Sequence, residues 1–156
     1  MDEQDTRLDK LIKESKKVID LPYNEIKIGD TAAFTRLITN QDILDFAILT
    51  GDVNPLHIDE EYASKTFFKG RIAHGILTVG FISTLIGTIL PGKNVIYLQQ
   101  DCKFTAPVRI GDTIKVVGTI IDKRDDKKIL TIETNVYNQK DEMVLEGRAI
   151  IMKKEQ

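Results

Sequence analysis

The sequence predicts an α+β domain in which an antiparallel sheet wraps around one buried helix. Two observations predict it. Residues 75–90 form a helical stretch that is apolar around most of its circumference, the mark of a buried helix. After Pro91 and Gly92 the hydrophobic period changes to two. Residues 94–106, 112–122, 128–138 and 142–152, rich in Val, Ile, Thr and Tyr, then read as four successive strands. The chain length of 156 residues suits one domain with a real core and is too short for two ordinary ones.

The elements follow in chain order. Over residues 6–19, Leu8, Leu11, Ile12, Ser15, Val18 and Ile19 recur at helical spacing opposite Lys and Asp. This predicts a short amphipathic helix, stopped by Pro22 and packed on the domain or on a partner subunit. Residues 1–20 are therefore set apart as an N-terminal helical extension from a domain over 21–156. Residues 31–38 (TAAFTRLI) read as a strand. Thr39 opens a capping-box pattern with Asp42 in place of the preferred Glu or Gln. The helix that follows holds Ile43, Leu44, Phe46, Ala47 and Leu49 and stops at Gly51. GDVNPLHIDEEYA is a loop leading into a short helix, punctuated by the turn residues Gly51, Asp52, Asn54 and Pro55.

Composition narrows the functional classes. The formal net charge is -2 with signs interspersed, which argues against a nucleic-acid binder. The longest apolar stretch, Ile76 to Leu90, is interrupted by Thr78, Gly80, Ser83, Thr84, Gly87 and Thr88, and no membrane span is expected. The opening MDEQDTRLDK has no apolar signal-peptide core. With Cys102 as the single cysteine, neither an intrachain disulfide nor a cysteine metal cluster can form. A cytoplasmic protein is expected. A curved sheet around one helix leaves open strand edges, so a homodimer or dimer-based oligomer is expected too.

The chemistry concentrates in one stretch. The two histidines, His57 and His74, fall close to Asp52, Asn54, Asp59 and Gly75. Histidine is the side chain best suited to move protons near neutral pH. Asp52 and His57, across an Asn-Pro turn, can face one cavity, where one holds a water and the other polarises it. The same residues also fit an ordinary turn, with Asp52 or Asn54 bonding nearby amides. Asp59 reads as the acidic first-turn residue of a helix at 60–65. Gly75 stands at the start of the buried helix. There it either offers a free amide to a ligand oxygen that gathers negative charge or eases a tight turn. His74 reads as a helix-start residue with a satisfied ring. Ser83, about two turns on, shares the Gly75 face roughly, though a buried helical serine usually bonds back to its own backbone.

LTGDVNPLHIDEEYA, followed by FFKGRIAHGILTVGFISTLIG, LPG and YLQQDCKFTAPVRIGDTI, resembles the signature of the MaoC-like (R)-specific enoyl-CoA hydratases over about residues 24–152. The resemblance implies the hot-dog fold, an antiparallel sheet wrapped around a long central helix. It implies a catalytic pair at Asp52 and His57, with Gly75 binding the thioester oxygen through its amide. Ser83 would support the catalytic Asp, and Asn54, inside the motif, is a substrate-binding candidate. The implied reaction is reversible hydration of a trans-2-enoyl-CoA to the (R)-3-hydroxyacyl-CoA, as used in fatty-acid metabolism, with acyl-CoA as substrate and neither metal nor redox cofactor. An acyl-CoA thioesterase and a non-catalytic acyl-CoA-binding protein are the alternatives on this fold. Residues 1–20 extend beyond the shortest family members, and Phe46, Ile76 and Leu77 are candidates for closing an acyl tunnel.

Overall fold

In the computed structural model, which describes residues 3–155, helix α1 (Glu3–Ser15) and a 3-10 turn (Tyr23–Glu25) precede strand β1 (Thr31–Leu37). Helices α2 (Asn40–Thr50), α3 (Pro55–Ile58), α4 (Glu60–Ser64) and α5 (Gly75–Thr88) follow. The chain ends in β2 (Val95–Phe104), β3 (Thr113–Arg124), β4 (Ile129–Tyr137) and β5 (Met143–Lys153). Residues 1, 2 and 156 of the two expected segments lie outside this description. Every expected strand is present. The five form one antiparallel sheet in the order β1-β3-β4-β5-β2, so β1 and β2 are its edges. The sheet cradles α5, which packs on β1, β2 and β3. This is the hot-dog arrangement.

The core follows from the period-two pattern. Ile114, Val116 and Ile120 of β3 and Leu130, Ile132 and Val136 of β4 point inward and are fully buried against Ile82, Leu85 and Ile86 of α5. Helix and sheet approach closely at Gly118. A Cβ there would sit 2.4 Å from Leu85 Cδ2, so the missing side chain is what lets α5 settle into the curve.

Two expectations change. Helix α5 is not buried all round in the single chain. Thr78, Ile82, Leu85 and Ile86 are buried, whereas Ile76, Gly80, Ser83, Thr84 and Thr88 form an exposed stripe one turn apart. The edge strand β2 is open as well, with Ile96, Tyr97, Leu98 and Phe104 exposed. Helix α1 stops at Ser15, well before Pro22, and its apolar residues Leu8, Leu11 and Ile12 remain exposed rather than packed on the domain. The cause of the early stop is tertiary. Residues 19–22 must run extended, because Asp20 bridges Gly92, the Leu21 amide donates to Pro91 (3.0 Å) and the Lys93 amide to Ile19 (2.8 Å). Gly92 has φ +90, and a Cβ would meet the Ile19 carbonyl oxygen at 2.0 Å, so no other residue fits there.

This extended strap is locked by a buried ammonium. Lys153 is 2% exposed, and its Nζ meets the Asp20 carboxylate and the Lys93 carbonyl (2.6 Å). The hydrogen bond from Lys153 holds the Asp20 carboxyl below the usual carboxylate range. A depressed folded value adds stability above the unfolded value of ~3.9, and that stability is lost as pH falls through the folded value. Asp20→Asn is therefore expected to lower the melting temperature at neutral pH, because it leaves a buried charge without its counter-ion. The difference from the parent should close on acidification. Equal melting curves at neutral pH would contradict this.

Candidate active site

Helix α2 delivers the chain to the site, and its ends are set by sequence. Thr39 accepts from the Asp42 amide (3.1 Å) while Asp42 accepts from the Thr39 amide (2.8 Å), completing the capping box. Gly51, at φ 79, closes the far end in the left-handed region, its amide on the Ala47 carbonyl (2.8 Å). The turn that follows is built from its own polar residues. Asp52 Oδ1 accepts from the Asn54 amide (3.3 Å), and Asn54 Oδ1 caps α3 through the Leu56 amide (3.0 Å). Pro55 occupies the first helical position, where its missing N–H costs nothing. His57 thus falls inside the single turn of α3, just beyond the loop that carries Asp52. Asp59 is the N-cap of α4, accepting from the Tyr62 amide (3.1 Å), rather than a residue of its first turn.

Carbonyl partners determine the protonation of both imidazoles. His57 Nδ1 lies 2.8 Å from the Ile72 carbonyl oxygen, and a carbonyl only accepts, so Nδ1 carries the proton. In the neutral ring Nε2 is left as a base. His74 Nε2 lies 3.0 Å from the Asp52 carbonyl oxygen and is the protonated nitrogen by the same reasoning. The two rings are 4.0 Å apart at a tilt of 32°. Ring nitrogens of both histidines and a carboxylate oxygen of Asp52 lie within 4.8 Å of one another. One water making two hydrogen bonds of ~2.8 Å spans such a gap.

Gly75 opens α5 with His74 as N-cap, and no side chain caps the helix. The first amides of such a helix have no intrahelical acceptor and sit at its positive end. Gly75 is not in the left-handed region, so turn geometry is not what calls for glycine. Space is: a Cβ would fall 2.8 Å from Phe104 Cε1. Beside it opens an apolar cavity of ≈ 430 Å³, lined by Phe68, Ile72, Ile76, Phe104 and Val108 among others.

Residues 24–142 match the sequence profile of the MaoC like domain family. The chain belongs to this family. It is 45% identical to the (R)-specific enoyl-CoA hydratase of Rhodospirillum rubrum, over 83% of this chain and 90% of that one. It is 38% identical to the 3-hydroxybutyryl-CoA dehydratase of Methylorubrum extorquens, over 84% of this chain and 83% of that one. Among solved structures, the unliganded R-hydratase PhaJ1 from Pseudomonas aeruginosa superposes with a TM-score of 0.85 at 42% identity, covering 89% of both chains.

In this MaoC-like chain the structure brings Asp52, His57, His74 and the start of α5 together, and Ser83 stands about two turns further along α5. Ser83 is exposed on the open stripe of α5 rather than buried, because that face has no cover within one chain. His74 is buried but only half satisfied, with no hydrogen-bond partner for Nδ1 among the described residues. Phe46 packs against the His74 ring (4.6 Å). Sequence reading missed Arg71, whose Nε donates to the His57 carbonyl (2.6 Å). An arginine that bonds a main-chain oxygen 14 residues away leaves no pattern in the sequence. Among the described residues no helix is long and apolar enough to cross a membrane.

Proposed function

We propose that the chain adds water reversibly across the double bond of a trans-2-enoyl-CoA, giving the (R)-3-hydroxyacyl-CoA. The observation that carries this is the tautomer of His57. The Ile72 carbonyl accepts from Nδ1–H, which leaves Nε2 as the basic nitrogen of a ring that clusters with the Asp52 carboxylate. Asp52 and His57 hold one water between them. Its oxygen bonds to C3 of the acyl chain, its proton passes to the pair, and a proton is delivered to C2. Negative charge grows on the thioester oxygen as the enolate forms, and the amide of Gly75, at the positive end of α5, is the donor for it. No step calls for a metal or a redox cofactor. The 45% identity to an (R)-specific enoyl-CoA hydratase supports the same reaction.

The working unit is a homodimer or a dimer-based assembly in the cytoplasm. The open edge of β2 and the exposed stripe of α5 are the surfaces a second copy would cover. Light scattering at micromolar concentration should return at least twice 17.6 kDa, and a monomer mass would remove this part of the reading.

The test is a hydration assay on four- to twelve-carbon enoyl-CoAs, followed by loss of enoyl absorbance with chiral analysis of the product, and repeated with acyl-carrier-protein thioesters. Formation of the (R)-alcohol is expected. Release of free CoA thiol without hydration would instead make the chain a thioesterase. Tight binding without turnover on every substrate would make it a binding protein.

A further inference from the structure

Residues 71–75 form a strap alongside the turn that carries Asp52 and His57. The Ile72 amide donates to the Leu56 carbonyl (3.4 Å), the Ile72 carbonyl accepts from His57 Nδ1–H (2.8 Å), and Arg71 Nε donates to the His57 carbonyl (2.6 Å). All three fix the His57 side of the turn. One side chain of the strap reaches the Asp52 side: His74, through Nε2 to the Asp52 carbonyl (3.0 Å). The same ring lies against the face of His57 (4.0 Å) and directly precedes Gly75 in the chain.

Packing alone does not account for a histidine here. The ring is 2% exposed and touches Phe46, a place where a phenylalanine would pack without a polar cost. Its Nδ1 is buried without a partner among the described residues, and such a group is expensive to bury. The N–H on the opposite nitrogen is what a phenylalanine would lack. We propose that His74 is a positioning residue for the catalytic pair: it holds the Asp52 backbone, and so its carboxylate, in register with His57 and with the Gly75 amide. This rests on the hydratase reading of that pair. Asp52 is itself exposed, and the other bonds that restrain it are local to its turn, namely its amide on Thr50 Oγ1 (3.2 Å) and its carboxylate on the Asn54 amide (3.3 Å). Without His74 the 71–75 segment holds the turn at its His57 end only.

Two substitutions separate the N–H from the ring. His74→Phe keeps the ring and removes the donor, and His74→Gln keeps an N–H donor and removes the ring. With crotonyl-CoA, His74→Phe should lower kcat by ~10- to 100-fold, the scale of a misplaced catalytic group. KM should move by less than ~3-fold, because the lost interaction is not one with bound substrate. His74→Gln should recover part of the loss. In an Asp52→Asn background, His74→Phe should cost little more, since it acts through Asp52. A folded His74→Phe enzyme with wild-type kcat, or a full additional loss on top of Asp52→Asn, overturns the proposal.

A second readout does not depend on turnover. The chain has two histidines, so nitrogen-15 NMR of the wild type and of His74→Phe assigns both rings. His74 should appear as the Nε2–H tautomer and His57 as Nδ1–H. Finding His74 as Nδ1–H removes its bond to Asp52 and overturns the proposal whether or not the wild type hydrates. The expected tautomers in a protein inactive on every enoyl thioester would instead sink the hydratase reading and leave the hold of His74 on Asp52 standing.

Discussion

Asp52→Asn and His57→Gln should each lower kcat for crotonyl-CoA hydration by at least ~10²-fold, the lower end for loss of an acid–base group. Asparagine keeps the size of Asp52 and can still accept the Asn54 amide, so the turn survives while the proton-accepting carboxylate is lost. Glutamine at position 57 keeps a hydrogen-bonding group but no titratable ring. Substrate affinity should change much less, because neither residue is assigned to the CoA portion. If both act on one water, the double mutant should be little worse than the poorer single mutant. Steady-state kinetics on the four proteins decide the matter. A folded Asp52→Asn enzyme at near wild-type rate would remove the mechanism, and full additivity would separate the two residues into independent roles.

Leu85→Ala should cost about 2–5 kcal/mol of stability, the range for truncating a fully buried leucine. Leu85 sits where α5 meets the sheet, over Gly118 of β3, so the cavity opens in the middle of the core. The reverse change is harmful too. In Gly118→Ala the new methyl would stand 2.4 Å from Leu85 Cδ2, and overpacking of that kind costs about 1–3 kcal/mol. Combined, the two should cost less than their sum, because the added methyl enters the space that the leucine vacates. Denaturant unfolding of the parent and the three variants, at one protein concentration, measures the coupling. Strict additivity would mean that the two side chains do not share this space in solution.

Local patterns in the sequence determined much of this protein. The Thr39–Asp42 capping box, the stop at Gly51, the Asn54-Pro55 start of α3 and the period-two strands are readable because each depends on neighbours a few residues away. The G-D-x-N-P-x-H run likewise brings Asp52 and His57 to one turn by local geometry alone. Tertiary structure decided the rest. Helix α1 ends at Ser15 because Asp20, Leu21 and Ile19 are claimed by the 91–93 segment, an extended pairing that outweighs helical periodicity. The stripe through Ile76, Gly80 and Ser83 reads as core in the sequence but is open in one chain, since periodicity reports that a face is apolar and not what covers it. The protonation of His57, the place of Arg71 and the reason for glycine at 75 rest on Ile72, on the His57 carbonyl and on Phe104. The first two are contacts across 14 or 15 residues of chain, and the third comes from strand β2; no spacing rule records them.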